Sequence, residues 1–80
     1  MKSPRSLSAK ELIKLLKIYG YEPVSQNGSH IKVTTQTSGE HHLAIPNHDP
    51  IKIGTLNAIL RQVAEHLGKS KEEVMNELFS

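Results

Sequence analysis

The chain has 80 residues, a formal net charge of +2 and no cysteine. So short a chain forms one domain with a small core, because it buries only about 60% of its unfolded surface. The lack of cysteine excludes disulfide bonds and thiolate zinc sites, and no apolar run is long enough to span a membrane. The basic segment 1–5 leads into no hydrophobic stretch, so it is not a secretory signal. These features predict a single cytoplasmic domain over residues 1–80.

Residues 8–20 predict the first helix. Ser8 and Glu11 have the spacing of a capping box, in which each side chain bonds the other residue's main-chain N–H. Gly20 is typical of the position just after a helix. Apolar residues recur between them at helical spacing, at Leu12, Leu15, Leu16 and Tyr19. Three lysines share the opposite face: Lys10, Lys14 and Lys17.

Positive charge is concentrated in the first quarter of the chain. Residues 1–20 hold five basic residues and one acidic residue, whereas the later parts are slightly acidic. A one-sided positive field attracts polyanions such as RNA and speeds their encounter. We therefore interpret Lys10, Lys14 and Lys17 as RNA phosphate-binding residues, with an ordinary solvated helix face as the alternative.

Three strands are expected after the first helix. The first covers residues 21–26, and it either lies at a sheet edge or begins late, because Pro23 cannot donate a ladder hydrogen bond. Asn27-Gly28 is typical of a hairpin turn, and residues 31–35 form the second strand. Residues 37–40 form another turn, and residues 41–45 form a third strand that Pro46 ends. We expect each strand to have one apolar face.

Two further helices complete the predicted order. Residues 47–53 form a loop, and a second helix runs from about residue 54 to residue 67, before Gly68. Its buried stripe is Leu56, Ile59, Leu60, Val63 and Leu67. Ser70 and Glu73 have capping-box spacing and start a short helix over residues 70–79. The domain core is therefore expected over residues 8–67, with the short helix added after it.

This order predicts an α+β fold with a three-stranded antiparallel sheet and the two main helices on one face. Strand alternation directs Ile31, Val33 and Thr35 towards the helices. The other face then carries His30 and Lys32, with His42 as a further candidate. The sequence thus predicts an open sheet face with polar and basic side chains.

Gly28-Ser29-His30 is the most informative stretch of the chain. It places a histidine directly after a sharp turn, on a stiff and accessible strand. An imidazole exchanges protons near neutral pH, which suits general acid–base catalysis. The alternative is a surface histidine beside a hairpin, since the chain has five histidines.

Five segments of the chain together resemble the HicA family of bacterial toxins, the mRNA interferases of HicA–HicB toxin–antitoxin pairs. The segments are residues 8–16, 20–21, 28–30, 45–48 and 54–62. Each segment is short, but their order and spacing match the family over residues 8–64.

The resemblance implies a fold similar to a double-stranded-RNA-binding domain and an endoribonuclease activity on mRNA. It also implies a HicB-like antitoxin as partner. It identifies His30 as the catalytic histidine, supported by the hairpin residues Gly28 and Ser29. The chain departs from the family pattern at Ser25 and Asn27, where basic residues are frequent, and at Ile31. We therefore expect weaker phosphate binding near the hairpin.

In metal-independent RNA cleavage the nucleophile is the 2′-hydroxyl of the substrate itself. Such a reaction needs proton transfer and stabilisation of charge on the phosphorus oxygens. His30 is the expected base or acid, and Lys32 on the same strand face could bind the phosphate. An ordinary solvent-facing lysine is the alternative for Lys32. Two non-catalytic functions also stay open, a small RNA-binding module and an inactive antitoxin-binding domain.

The remaining histidines do not predict a metal site. His41 and His42 are adjacent on a strand, so they point to opposite faces. His48 and Asp49 lack two further ligands at suitable spacing. We expect His48 to order the loop after Pro46, and we assign His66 a structural role near a helix C-terminus. No metal and no other cofactor is expected.

Overall fold

The computed structural model describes residues 6–79. The chain forms α1 (Ala9–Leu16), a 3₁₀ turn (Lys17–Tyr19), β1 (Glu22–Asn27), β2 (His30–Thr35), β3 (His41–Pro46), α2 (Ile53–Leu67) and α3 (Lys71–Phe79). The strands make one antiparallel sheet in the order β1-β2-β3. This confirms the predicted α+β fold and agrees with a layout like that of a double-stranded-RNA-binding domain. The basic segment 1–5 lies outside the described residues.

The start of α1 follows the predicted capping box. The Glu11 N–H donates to Ser8 Oγ at 3.1 Å, and the Ser8 N–H donates to Glu11 Oε1 at 2.9 Å. The α-helix is shorter than expected, because the chain tightens into the 3₁₀ turn after Leu16. Gly20 then reverses the chain with φ +86°, and a Cβ there would lie 2.8 Å from Thr35 Oγ1. Glycine is therefore required at this position both by conformation and by space.

The two faces of β2 and β3 differ as the alternation predicted. The covered face is buried against the helices and carries Ile31, Val33, Thr35, Leu43 and Ile45. The buried hydroxyl of Thr35 donates to Tyr19 O at 2.7 Å, so this polar group has a partner. The opposite side, which we call the open face, carries His30, Lys32, Thr34, His42 and Ala44.

The expectation of one apolar face on every strand is wrong for β1. All six residues of β1 are exposed. The strand pairs only with β2, and its register shifts between Pro23 and Ser25. Its apolar residue Val24 lies within this irregularity and is 59% exposed. An edge strand with a bulge and mostly polar side chains contributes little to the core.

The two C-terminal helices close the core. α2 buries Leu56, Ile59, Leu60 and Val63 as expected, whereas Leu67 is only partly buried. α3 begins with the second capping box, in which the Glu73 N–H donates to Ser70 Oγ at 3.0 Å. It buries Val74, Leu78 and Phe79. Within residues 6–79, none of the helices combines the length and the apolar character that crossing a membrane requires.

Candidate active site

A two-residue turn positions the predicted catalytic histidine. Asn27 pairs with His30 across the hairpin, so the turn consists of Gly28 and Ser29, one residue later than the sequence indicated. Gly28 has φ +62°, whereas Ser29 stays at negative φ, the pattern of a type II′ turn. His30 is therefore the first residue of β2 and is fixed on both sides by strand pairing.

The strand register orders the open face into three rows that cross the sheet. The rows are Asn27–His30–Pro46, Ser25–Lys32–Ala44 and Glu22–Thr34–His42. A shallow groove of about 600 Å³ runs over this face and is lined by residues of all three rows, His30, Lys32 and His42 among them. The structure thus brings together the three side chains that the alternation assigned to this face.

His30 and Lys32 are both available to a ligand. Both side chains are exposed, and they lie two residues apart on the same face of β2. Within residues 6–79, neither side chain makes a hydrogen bond or an ion pair with another residue. The turn beside them is anchored, because the Asn47 N–H donates to Ser29 O at 2.6 Å. A fixed backbone therefore carries two uncommitted polar groups.

His42 differs from His30 although it lines the same groove. Its Nε2 lies 2.7 Å from Glu40 Oε2, and its Nδ1 lies 2.6 Å from Thr34 Oγ1. A carboxylate only accepts, so Nε2 donates to Glu40, and in the neutral ring the Thr34 hydroxyl donates to Nδ1. Both nitrogens of His42 are therefore occupied within the protein.

The three lysines of the first helical segment do not gather at His30. α1 starts beside the loop after β3, where the Ala9 N–H donates to His48 O at 3.0 Å. Lys10 lies at that end and lines a shallow cleft with Asn47 and His48. Lys17 lies at the other end, with its Nζ 3.9 Å from Glu22 Oε1. All three lysines are exposed, but only Lys10 is near the loop that anchors the Asn27–His30 hairpin.

A second histidine cluster lies at the opposite end of the sheet, and sequence reasoning missed it. His41 stacks on His66 with the ring centres 4.3 Å apart and the planes 11° apart. His66 Nε2 donates to Thr37 O at 2.8 Å and Gly39 O at 3.0 Å. His66 thus has the expected structural role, but it holds the β2–β3 turn rather than acting through the helix dipole.

Tyr21 completes this cluster. Burial raises the pKa of Tyr21 to about 12, so its hydroxyl keeps its proton, and this hydroxyl is hydrogen-bonded to His41 Nδ1 at 2.7 Å. The pKa of His41 is lowered, chiefly by burial and then by the neighbouring His66 and His42, with Glu65 acting in the opposite direction. His41 is therefore held as a neutral structural ring. Tyr21 and His41 are 20 residues apart in the chain, so no local sequence pattern predicts their hydrogen bond.

The described residues contain no group of three or more histidine, cysteine, aspartate or glutamate side chains that could hold a metal ion. The His48 N–H donates to Pro46 O at 2.8 Å and its carbonyl accepts from the Ala9 N–H at 3.0 Å. Both bonds are made by the main chain, so an ordering role of the His48 side chain stays a prediction.

Comparison with known families agrees with this architecture. A family model described as the HicA toxin of bacterial toxin–antitoxin matches residues 9–64, which include the hairpin and the whole sheet. The chain belongs to the HicA toxin family. This family comprises toxins of toxin–antitoxin pairs and is known as a ribonuclease toxin family. Neither the curated proteins nor the solved structures contain a significant match to the chain.

Proposed function

We propose that this HicA toxin is a metal-independent endoribonuclease that cleaves mRNA with His30 as its general acid or base. The observation that best supports this role is the accessibility of the His30 side chain. It is exposed at the start of a rigid strand, and its ring has no partner among residues 6–79. The resemblance assigns catalysis to the same residue. Among the three histidines of the sheet, His30 has the freedom that proton transfer requires.

In the proposed reaction, the RNA 2′-hydroxyl attacks the adjacent phosphorus and the bond to the 5′-oxygen breaks. The 2′-hydroxyl loses a proton and the leaving 5′-oxygen gains one, which yields a 2′,3′-cyclic phosphate and a 5′-hydroxyl. His30 accepts or delivers one of these protons, and the open groove lets solvent exchange the other. Lys32, about 7 Å along the same strand, stabilises charge on the phosphorus oxygens. Gly28 and Ser29 hold the backbone of His30 in place.

The decisive experiment compares RNA cleavage by the wild type and by His30→Ala, each with and without EDTA. We expect the variant to lose about 10²–10⁴-fold in rate, the usual contribution of general acid–base catalysis. Lys32→Ala should lose less, because it removes charge stabilisation but leaves proton transfer. EDTA should have no effect, and the products should carry cyclic phosphate ends. Equal cleavage by His30→Ala, or inhibition by EDTA, would exclude this mechanism.

The exposure of the groove also supports the proposal of an antitoxin partner, which the resemblance implies. A nuclease site on an open sheet face needs to be covered when the toxin is silent, and we propose that a HicB-like antitoxin covers His30 in the cytoplasm. Co-expression and co-purification with the adjacent gene product tests this, with loss of RNA cleavage in the complex as the readout. A complex that still cleaves RNA at the wild-type rate would show that the antitoxin binds elsewhere.

A non-catalytic role is the alternative, and one feature of the groove favours it. Ser25 and Asn27 give the groove uncharged side chains where family members often carry basic ones. Lys32 is then the lysine that the groove offers to a phosphate. If neither the wild type nor the variant cleaves any RNA, the protein is an RNA-binding module or an inactive antitoxin-binding domain.

A further inference from the structure

We propose that His42 is a substrate-binding residue that stacks on an unpaired base of the RNA substrate. The inference rests on the proposed function, since it takes the cleaved phosphate to lie at His30. His42 lines the same groove as His30 and Lys32, but it lies at the far end of the open face.

The hydrogen bonds of His42 decide what its ring can do. Thr34 and Glu40 occupy its two nitrogens, so the ring has no free donor or acceptor for a phosphate or a base edge. Its side chain is still 45% exposed, and it is held in one orientation. A fixed aromatic ring with an accessible face is a stacking platform for nucleobases.

The charges around His42 favour a base over the RNA backbone. Glu40 bonds the ring directly, and Glu22 lies in the same row of the open face. Lys17 lies 3.9 Å from Glu22 and offsets part of its charge, so Glu40 is the carboxylate that most disfavours a phosphate at the ring, whereas an uncharged base is not excluded. Lys32 lies in the row between His42 and His30, where it can hold the intervening backbone. The open face is thus polarised, with a phosphate-binding centre and a base-binding end.

The strand register also limits how far the stacked base can lie from the cleaved bond. His42 is paired with Thr34, four residues along β2 from His30, so the two histidines are roughly 14 Å apart. This distance equals about four stacked nucleotide steps and fewer in an extended strand. A duplex keeps its bases stacked on each other, so only single-stranded RNA can present a free base face here. The proposed ligand is an unpaired base within about four nucleotides of the cleaved bond.

The test measures binding of a single-stranded oligoribonucleotide by fluorescence anisotropy, in full-length protein that carries His30→Ala so that the RNA stays intact. Adding His42→Ala should weaken binding about five- to 150-fold, the range for loss of one stacked base. His42→Phe should retain binding because it keeps a ring. His42→Gln is the matched control, since its amide can bond Thr34 and Glu40 but cannot stack. It should bind as weakly as the alanine variant.

A fluorescent base analogue then locates the contact. Single 2-aminopurine substitutions at each position up to about four nucleotides on either side of the cleaved bond should show quenching at one position, which His42→Gln abolishes. Equal binding by all variants would overturn the stacking role and leave catalysis by His30 standing. Equal loss in all three, phenylalanine included, would show that His42 only supports the groove. Absence of both RNA binding and wild-type cleavage would overturn this inference together with the proposed function.

Discussion

His30 and His41 occupy equivalent positions at the starts of β2 and β3, but they face opposite sides of the sheet. His30 lies on the open face and has no partner among the described residues, whereas His41 is bonded to Tyr21 and stacked on His66. Histidine, as a residue type, therefore has two roles in this sheet. On the covered side it is fixed as part of the structure, and on the open side it stays available for chemistry. Activity and stability should consequently be separable by mutation.

The largest expected effect on stability is that of His41→Ala. This change leaves the buried Tyr21 hydroxyl without its hydrogen-bond partner and removes the stack with His66. An unsatisfied buried polar group costs about 1–3 kcal/mol, a substantial part of the roughly 4–12 kcal/mol expected for a domain of this size. Urea unfolding measures the loss, and His30→Ala is the matched control, which should stay within about 0.5 kcal/mol of the wild type.

A double variant sharpens this prediction. Combining Tyr21→Phe with His41→Ala removes the unpaired hydroxyl, so the double variant should recover part of the lost free energy of unfolding. RNA cleavage by the folded His41→Ala protein should change little, because the cluster lies at the far end of the sheet from His30. If His41→Ala unfolds like the wild type, the Tyr21–His41 bond contributes nothing measurable to stability.

The pH dependence of stability should be smaller but of defined sign. The pKa of folded His41 is lowered by burial, His66 and His42, and Glu65 offsets only part of this. The unfolded state therefore binds more protons near pH 6, and the free energy of unfolding should rise with pH through this range. As the pH falls below about 6.5, the stabilisation is lost progressively. Urea unfolding at several pH values checks this, and the slope should flatten in His41→Ala. An unchanged slope would assign the pH dependence to other groups.

Local sequence patterns predicted most of the fold. The capping boxes at Ser8 and Ser70 involve residues three positions apart, and the faces of β2 and β3 follow from simple alternation. These features depend on neighbours in the chain, so they can be read from it. Pro23 indicated an edge position for β1, but the exposure of all six residues was not predictable in this way, because no local pattern showed the register shift between Pro23 and Ser25.

The candidate site was predictable only in part, for the same reason. Alternation identified the face that holds His30, Lys32 and His42. It could not show that Glu40 and Thr34 occupy the nitrogens of His42, or that His66 bonds the turn at Thr37. Those contacts depend on how the turn folds and how α2 lies against the sheet. The direction of α1 along the sheet was also not predictable from local sequence patterns. This direction decides which lysines lie near the hairpin.

The smallest predicted effects separate Lys10 from Lys17. α1 runs from the loop beside the β1–β2 hairpin towards the opposite end of the sheet, where Tyr19 O accepts a hydrogen bond from the Thr35 hydroxyl. Lys10→Gln should therefore weaken RNA binding more than Lys17→Gln, because Lys17 already faces Glu22, a carboxylate that repels phosphates. Lys14→Gln should fall between them.

Each lysine that contacts a phosphate of single-stranded RNA contributes about 0.7 to the slope of log K against log salt. Anisotropy titrations over a range of salt concentrations should show that Lys10→Gln lowers this slope and that Lys17→Gln leaves it nearly unchanged. The variant with all three lysines changed should bind every RNA sequence more weakly, because phosphate contacts carry no sequence information. Equal effects at the three positions would mean that the helix acts as a diffuse positive field. No effect at any position would mean that the helix lysines are only solvent-exposed, and that Lys32 and the rest of the open face bind the RNA.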